Sequence, residues 1–533
     1  MKGRLTVVAA LVAGAALFSG PLGAATGPRL TTPTKATKED LEPARTYADP
    51  YVLVDPDNPL LVVAATVEMR SRSCRVFRSA DGGGSWKLLE TSPSLPSFPY
   101  CHHTRGATTM SPMAWGRDGR LYLARTGWDT QDIGTPGNFP GTWGNMSVLL
   151  GRSDDLGDTW ETSIVRNARG KQGPDTEVNI PVSSVGVDTA RGADDIVYVT
   201  WSSSRYLMRP PVPDTPIVAV STDGGRTFGD PVVGIGGDID KVLGGMPSSG
   251  SEQTLAVADD GTVYLLWLGN VNNRYMLLLS TSTDQGHTFS TTPVGDPKQS
   301  SADFFLGSAF RWSPEGGKQG TLHVLYEDRM DGPWGDRDIL YRLSTDAGRT
   351  FTEPRRVNDD DPALRRVQGS PNVSVAPNGR LDAIWWDFRN DPGLFANDVY
   401  YSYSTDNGGT WSANERVTDQ LIRRKIGVWS NGYDQRQPPG VASSNEFAVF
   451  VWDDNSDGDE LTQSQDIFSA AAQFQAVGSS TSTAWWYATG AAGGLALVGL
   501  VLLVASRIRR RDSDGDAVGP PAEALSRPSV GTS

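Results

Sequence analysis

The sequence is poor in histidine, cysteine and positive charge. Only 4 histidines and 2 cysteines occur in 533 residues, so His102 and His103 beside Cys101 are a weak basis for a zinc site. The 48 basic residues are outnumbered by 62 acidic ones, and the formal net charge of -14 argues against a nucleic-acid partner. With 59 glycines and 35 prolines, the composition is far from that of collagen or a coiled coil and indicates a globular, turn-rich chain.

Long hydrophobic runs are confined to the two ends of the chain. Two basic residues precede an apolar run over 5–18, and small residues follow up to Ala25, which predicts a secretory signal peptide over 1–25. Residues 484–506 carry no charge and are long enough, at about 1.5 Å per residue, to cross a hydrocarbon layer of about 30 Å. This end of the chain is predicted to be a transmembrane helix.

The charges beside the predicted span orient it. Four arginines lie within 507–511, so the positive-inside rule places the tail, 507–533, in the cytoplasm. We expect an N-terminal extension over 26–46, a globular domain over 47–475 and a stalk over 476–483 to lie outside the cell. The sequence therefore predicts a single-pass cell-membrane protein.

A short motif recurs six times in the globular domain. Each copy begins with Ser, has Asp at its third position, then a glycine and Ser or Thr, and ends on Trp or Phe. The carboxylate can accept backbone N–H bonds within a tight turn, and glycine permits the positive φ of such a turn. The motif aspartates, which stand 60 to 74 residues apart, are Asp81, Asp155, Asp223, Asp284, Asp346 and Asp406. A repeat of this length with short β runs predicts an all-β propeller of four-stranded antiparallel blades.

Apolar, β-rich runs provide the blade count. One run precedes each motif, and a seventh follows the last motif at residues 446–452. The stretch 466–470 after it is similar to the strands that elsewhere lead into a motif. We expect seven blades, the last without its motif, with six blades as the alternative. Whether the N-terminal stretch closes a blade stays open at this point.

The six motifs resemble the Asp-box, or BNR repeat, of the sialidase (neuraminidase) family. The resemblance extends over the whole of 47–475. It implies a propeller whose Asp-boxes are structural turns on the face away from the binding site. The long loops between second and third strands and between blades then lie on the opposite face, where we expect function to reside. Cys74 and Cys101 both fall at that face, and export permits a disulfide between them, two reduced thiols being the alternative.

Candidate site residues follow from aligning the blades on their second strands. The alignment places five residues near the mouth of the central channel: Asp49, Glu177, Glu252, Gln368 and Gln437. Paired acids are what glycosidic cleavage needs, and guanidinium groups pair bidentately with a ligand carboxylate. The loop arginines that we expect to bind a ligand are Arg311, Arg329, Arg389 and Arg436. A solvated loop charge or a surface ion pair is the alternative for each of them.

The resemblance assigns roles to some of these residues. Sialidases hold the substrate carboxylate with three arginines and use a tyrosine nucleophile assisted by a glutamate. Tyr433 would be the nucleophile, with Glu177 or Glu252 as its partner. Arg311 and Arg436 would bind the carboxylate.

Two further patterns have a structural interpretation beside a functional one. Asp453, Asn455 and Asp457 are spaced like the start of a calcium loop, although acidic loops are more often simply solvated. No cofactor is required, and Ca²⁺ is the only one that the sequence suggests. The motif Trp386-Asp387-Phe388-Arg389 suggests sugar stacking, but a related motif in the preceding blade, at 326–329, favours packing between blades and a repeated Asp–Arg pair.

Two functions compete. The first is a non-catalytic module that binds a glycan or a cell-surface or secreted protein. We favour it because the chain departs from the sialidase pattern: the family's first arginine stands in an Arg-Ile-Pro strand, and this chain has Asp49-Pro50-Tyr51-Val52 at that place. The second is an exo-acting glycoside hydrolase of the sialidase type, which the fold, the acids and the loop arginines suggest.

Overall fold

The computed structural model describes most of the chain between residues 27 and 474. The described residues are 27–38, 45–101, 111–129, 146–168, 182–205, 212–271, 274–295, 308–314, 320–328, 337–423, 425–427, 438–458 and 460–474. Contacts divide the chain into Met1–Phe474 and Gln475–Ser533. The predicted signal peptide, stalk, span and tail all lie outside the described residues. Within the described ranges, no helix has the length and hydropathy of a membrane span.

Seven antiparallel sheets, each of at least four strands, make up the described part of the chain. Blade 1 consists of β3 (Tyr47–Val54), β4 (Val62–Glu68), β5 (Ser73–Ser79) and β6 (Lys87–Leu88). Blade 2 consists of β7 (Tyr100–Cys101), β8 (Met113–Trp115), β9 (Leu121–Trp128), β10 (Met146–Ser153) and β11 (Glu161–Ala168). Blade 3 consists of β12 (Val182–Asp188), β13 (Ile196–Arg205), β14 (Val212–Ser221) and β15 (Val232–Val233).

The remaining blades repeat this order. Their strands are β16 (Ser248–Val257), β17 (Val263–Val271), β18 (Arg274–Ser282) and β19 (Ser290–Pro293) in blade 4; β20 (Ser308–Ser313), β21 (Thr321–Asp328), β22 (Asp338–Ser344) and β23 (Arg355–Arg356) in blade 5; β24 (Gln368–Val375), β25 (Leu381–Asp387), β26 (Ala396–Ser404), β27 (Glu415–Arg416) and β28 (Ile422–Arg423) in blade 6; and β29 (Gly440–Ser443), β30 (Phe447–Asp454), β31 (Asp466–Gln473), β1 (Arg29–Leu30) and β2 (Thr34–Lys35) in blade 7. Short helical turns occupy Arg117–Gly119, Ile239–Leu243 and Pro362–Leu364. The prediction of seven blades is confirmed, and the six-blade alternative is wrong.

The N-terminal stretch closes the ring. β1 and β2 both pair antiparallel with β31 and form the outer strand of blade 7. The two segments are held in place by backbone hydrogen bonds from Thr31 to Ala471 (2.8 Å) and from Ala36 to Ile467 (2.7 Å). Because the third and fourth strands of blade 7 come from opposite ends of the chain, no hairpin joins them. This is why seven blades contain six Asp-boxes.

The second strands form the centre of each blade. β4, β9, β25 and β30 are buried at every residue, because neighbouring blades cover both faces of these strands. Five of the seven second strands carry a large indole at the same end that is less than 2% exposed: Trp128, Trp201, Trp267, Trp385 and Trp452. Trp386 of the motif Trp386-Asp387-Phe388-Arg389 is buried too, at 2% exposed, as the favoured interpretation of packing between blades predicts.

The Asp-boxes are hydrogen-bonded turns between third and fourth strands, as predicted. In the first box, Ser85 donates to Asp81 through its backbone N–H (2.8 Å) and its hydroxyl (2.7 Å), and Ser79 donates to the same carboxylate (2.7 Å). The other five boxes repeat these contacts. Burial acts to raise the pKa of most of these carboxyls, but the hydrogen bonds outweigh it and all six pKa values lie below the usual range, at about 2 for Asp284.

Each box also contacts the preceding blade. Gly83 has φ +91, and a Cβ added there would lie 2.7 Å from Val449 of blade 7. Gly408 has φ +74, and a Cβ there would lie 2.1 Å from Tyr341 of blade 5. Glycine is therefore needed both for the turn and for the close approach of the two blades.

The predicted disulfide joins the first two blades. Cys74 in β5 and Cys101 in β7 are bonded, with their Cα atoms 5.3 Å apart. The bond links the beginning of the third strand of blade 1 to the innermost strand of blade 2.

A buried histidine lies beside the box of blade 6. His323 is fully buried, with Ser313 Oγ 2.9 Å from Nε2 and Tyr341 Oη 2.7 Å from Nδ1. Tyr341 in turn donates to the carbonyl of Asn407 in the box (3.1 Å). Burial lowers the pKa of His323 to about 4, because the imidazolium would lose its hydration.

We predict that His323 makes the protein acid-sensitive. As the pH falls, the unfolded chain binds a proton near pH 6.5, whereas folded His323 binds one only near pH 4, so the folded state loses stability in that window. The free energy of unfolding is measured in urea from pH 4 to 7 and plotted against pH. For His323→Gln this plot should be shallower than for the wild type by up to about 1.4 kcal/mol per pH unit. Parallel curves for the two proteins would contradict the assignment.

We also predict that Asp466 stabilises the closed ring. This carboxylate is 1% exposed and accepts hydrogen bonds from Lys35 (2.9 Å), Thr37 (2.5 Å) and Arg45 (2.5 Å) of the N-terminal segment. Asp466→Ala should lower the free energy of unfolding by about 3 kcal/mol, since buried charge-assisted hydrogen bonds are lost. Asp238→Ala, which removes an exposed pair with Lys241, is the control and should change it by less than about 0.5 kcal/mol. A loss below about 1 kcal/mol for Asp466→Ala would show that the ring closes without these contacts.

Candidate functional site

The innermost strands surround a cavity of about 520 Å³, counting the part that is open to solvent. Five of its walls come from the first strands of blades 1, 3, 4, 5 and 6, and blade 7 contributes Pro438 just before β29. The lining residues are Asp49, Pro50, Tyr51, Ser183, Ser184, Thr254, Ser308, Ala309, Arg311, Asn372 and Pro438. Most of the polar lining is therefore neutral.

The first strands β3, β12, β16 and β24 all have a register shift beside the cavity, and in β3 and β24 a residue with positive φ marks it. The pairing of β3 with β4 shifts between Ala48 and Tyr51, and Asp49 has φ +58. The pairing of β24 with β25 shifts at the equivalent place, and Ser370 has φ +49. Each of these two residues is followed by a proline, which cannot donate a ladder hydrogen bond. A bulge bends its strand and redirects its side chains, so these positions shape the channel wall.

Arg311 supplies positive charge to the cavity. It lies on β20 and is half-buried. Its guanidinium donates to the carbonyl of Phe310 (2.7 Å) and to Oδ1 of Asn372 in blade 6 (3.2 Å). Both acceptors are neutral, and within the described ranges no carboxylate forms an ion pair with Arg311. The charge is therefore available to an anionic group that enters the cavity.

Asp49 is the acid of the cavity wall. Its side chain is buried, and burial together with the nearby Asp453 raises its pKa well above the usual value. A carboxyl that keeps its proton to higher pH offsets less of the charge of Arg311. The alignment of blades thus placed Asp49 correctly at the channel. It placed Gln368 near the same position, but the Gln368 amide is buried between blades, where it contacts Asn358 (3.0 Å) and Asp387 (3.4 Å).

Several predicted site residues fall outside the described residues. These are Glu177, Arg329, Tyr433, Arg436 and Gln437. Glu252 lies on β16 where the pairing with β17 shifts, between Ser249 and Gln253, but its side chain is among those not described. The predicted roles of these residues stay predictions. Pro438, which does line the cavity, follows Tyr433 and Arg436 by only a few residues.

Arg389 is engaged by protein groups. Its guanidinium donates twice to Asp387 (2.9 and 3.0 Å) and once each to Asp359 (2.7 Å) and Asn414 (2.9 Å). Its plane also lies 4.2 Å from the ring centroid of Tyr400. Burial acts to lower the pKa of Arg389, but the hydrogen bonds with Asp387 raise it above its ordinary value. This is the structural Asp–Arg pair that the repeated motif suggested.

The acidic loop of blade 7 is held by contacts within the protein. Asn455 donates to the carbonyls of Arg423 (2.7 Å) and Ile426 (2.6 Å), and Asp453 accepts from Gln465 (3.0 Å). Asp457 forms an ion pair with Lys35. In the part of the chain that the structure describes, no three His, Cys, Asp or Glu side chains form a group that could hold a metal. Calcium binding by this loop stays a prediction.

Sequence reasoning missed the neutral part of the cavity. Ser183, Ser184, Thr254, Ser308 and Asn372 carry no charge and no motif, so nothing marked them as neighbours. The Asp-Pro and Ser-Pro pairs in β3 and β24 were the available signal, because proline in a strand indicates a bulge.

A family match supports the propeller architecture. The family described as BNR repeat-like domain matches residues 30–300, just over half of the chain. No curated protein has a sequence that matches the chain significantly. Among solved structures, a protein of unknown function from Dyadobacter fermentans is 13% identical (84% of this chain, 100% of the other, TM-score 0.44). An α-L-arabinanase from Penicillium chrysogenum is 14% identical (72% and 100%, TM-score 0.44), and a Hadza microbial sialidase is 15% identical (78% and 74%, TM-score 0.42).

The contacts of Arg389 lead to a prediction about stability. Arg389→Ala leaves the fully buried carboxylate of Asp387 without its cation, so the free energy of unfolding should fall by about 3 kcal/mol in urea denaturation. Arg349→Ala, which removes an exposed arginine in the box of blade 5, is the control and should have an effect below about 0.5 kcal/mol. Unchanged stability with weakened ligand binding would instead support the predicted ligand-binding role of Arg389.

Proposed function

Because the chain belongs to the BNR repeat-like domain family and folds as a sialidase-like propeller, we propose that it is a non-catalytic module that binds an anionic glycan at the mouth of its central channel. Arg311 is the anion-binding residue of this proposal. The surrounding hydroxyl and amide groups bind the sugar hydroxyls.

The observation that carries the proposal is the state of Arg311. This half-buried guanidinium faces a cavity and, among the described residues, donates to neutral acceptors, so it keeps its charge for a ligand. Planar, bidentate pairing with a carboxylate is the interaction that guanidinium groups favour. Partial burial strengthens such a pair, because water screens it less.

The polar lining supports the binding of a glycan. Asp49 is the one acid among the described lining residues, and burial raises the pKa of its carboxyl. Ser183, Ser184 and Asn372 offer neutral donors and acceptors of the kind that bind sugar hydroxyls.

An exo-acting glycoside hydrolase of the sialidase type is the second candidate. The observation in its favour is the position of Pro438, since the predicted nucleophile Tyr433 and the predicted ligand Arg436 precede this cavity-lining residue closely in the chain. Turnover of sialosides or other terminal glycosides by the full-length protein, abolished by Tyr433→Phe, would establish it.

We also propose that the propeller is exported and anchored. The uncharged segment 484–506, the arginines that follow it and the leader pattern of 1–25 support a single-pass protein with its propeller outside the cell. The Cys74–Cys101 disulfide is consistent with this, because such bonds persist in oxidising compartments.

The binding role of Arg311 is testable on a panel of matched glycans. Full-length protein in detergent should bind glycans that end in a carboxylate-bearing sugar more tightly than their neutral counterparts. Arg311→Ala should weaken the binding of the anionic glycans at least about tenfold, since a hydrogen bond to a charged group contributes about 1.5–3 kcal/mol. The affinity of Arg311→Ala for any neutral glycan should stay within about twofold of the wild-type value.

Two further variants control this experiment. Arg311→Lys keeps the charge but lacks the paired N–H donors of the guanidinium, so its affinity for the anionic glycans should lie between those of the wild type and Arg311→Ala. Arg349→Ala makes the same change of charge in an exposed box residue of the same blade and should bind as wild type does. Equal affinity of wild type and Arg311→Ala for the anionic glycans would reject the proposed role.

A further inference from the structure

Arg125 is a buried arginine far from any role in the proposed function. It lies in the middle of β9, the second strand of blade 2, and is 1% exposed. β10 pairs with β9 on one side, with Leu149 opposite Arg125. On the other side, Cys101 pairs with Gly127 and Met113 with Leu123, so Arg125 is enclosed between β7 and β8.

The partners of Arg125 are unusual for a guanidinium. Nη1 lies 2.7 Å from Sγ of Cys101 and 3.1 Å from Sγ of Cys74, and Nη2 donates to the carbonyl of Phe98 (3.1 Å). In the described ranges of the chain no carboxylate pairs with it. Disulfide sulfur is a weak acceptor and carries no charge.

A buried cation without a counter-ion is unfavourable. Taking a charged group out of water costs several kcal/mol unless an opposite charge or strong hydrogen bonds compensate. The effect is visible in the pKa of Arg125, which burial lowers to about 9. An anion formed beside Nη1 would therefore be stabilised strongly.

We propose that Cys74, Cys101 and Arg125 form a redox modification site, at which a dithiol opens the disulfide and Arg125 stabilises the thiolate of Cys101. The thiolate is the anion that the buried guanidinium lacks. Cationic neighbours lower the pKa of cysteine thiols in this way, and a leaving thiol of low pKa departs faster.

The contacts also indicate the order of the exchange. Cys101 is the sulfur closest to Arg125 and is 2% exposed, whereas Cys74 is 5% exposed. One thiolate of the dithiol attacks Cys74, forming a mixed disulfide, while the Cys74–Cys101 bond breaks and its electron pair leaves on Cys101. The second thiol of the reagent then displaces Cys74, so that the dithiol is oxidised to a disulfide and the protein gains two electrons. Of the two protons that the dithiol loses, one ends on Cys74 and the other goes to the solvent, which leaves Cys101 as a thiolate.

Opening the bond releases a link between blades. The disulfide connects β5 of blade 1 to the two-residue strand β7 of blade 2. β7 makes only two pairs with β9, so its position depends on the covalent link more than that of a longer strand would.

The test is a redox titration of the full-length protein with reduced and oxidised dithiothreitol. Wild type should be reduced more readily than Arg125→Met, with an equilibrium constant at least tenfold larger, equivalent to about 30 mV for a two-electron couple. The equilibrium constant of Arg125→Lys, which keeps the charge, should lie between those of the wild type and Arg125→Met. Arg342→Met is the matched control, because Arg342 is also a buried arginine with neutral partners, Tyr326 and the carbonyl of Thr352, and it should titrate as wild type does.

A second measurement follows the reactivity of Cys101 in the wild type and in Arg125→Met. After reduction, with folding checked by near-ultraviolet circular dichroism, the alkylation rate of Cys101 should have a pH midpoint clearly below the ordinary thiol value of about 8.5. Arg125→Met should return that midpoint to about 8.5 or above. A wild-type midpoint at or above about 8.5, or equal equilibrium constants for wild type and a folded Arg125→Met, would overturn the proposal. The reason is that replacing a purely structural arginine would change stability but neither the alkylation midpoint nor the equilibrium constant.

Discussion

The closure of the ring is the constraint on which the rest of the structure depends. Seven blades surround a cavity only while the C-terminal strands of blade 7 stay against the N-terminal strands β1 to β3, and the Cys74–Cys101 disulfide does not cross that seam. Two-residue strands at the N-terminus complete blade 7, and the buried carboxylate of Asp466 collects the polar groups that hold them. The first Asp-box strengthens the same seam, because Trp86 donates to Ser469 of blade 7 (2.8 Å) and Gly83 packs against Val449.

The architecture was predictable because it is repetitive. Six boxes with the same residues at the same offsets identify the hairpin between third and fourth strands, and seven apolar runs identify the second strands that both neighbours bury. The closing strands carry neither signal. Arg29–Leu30 and Thr34–Lys35 are too short to show a period, and their place follows from pairing with a strand more than 400 residues away.

The site was less predictable for the same reason. A repeat gives similar motifs to several blades, so an arginine at the end of a second strand looks alike whether it binds a ligand or an aspartate. Arg389 is engaged because Asp359 and Asn414 reach it from segments 25 to 30 residues away. Arg311 lies on a first strand, where its described hydrogen-bond partners are Phe310 and Asn372, and no motif in the sequence marks this environment. The roles of Tyr433, Glu177 and Arg436 stay predictions, because these residues lie outside the described ranges.

The electrostatics of the boxes differ from those of the cavity. The six box carboxylates have pKa values below the usual range, so they stay ionised at any physiological pH. With a net charge of -14, the chain as a whole repels an anionic ligand at long range. In physiological salt the screening length is only about 8 Å, so that repulsion fades outside the immediate surface. Among the described lining residues of the cavity, Asp49 resists ionisation and most other groups are neutral, so Arg311 supplies the local positive potential. A ligand whose negative group reaches the cavity is therefore favoured over one that only approaches the surface.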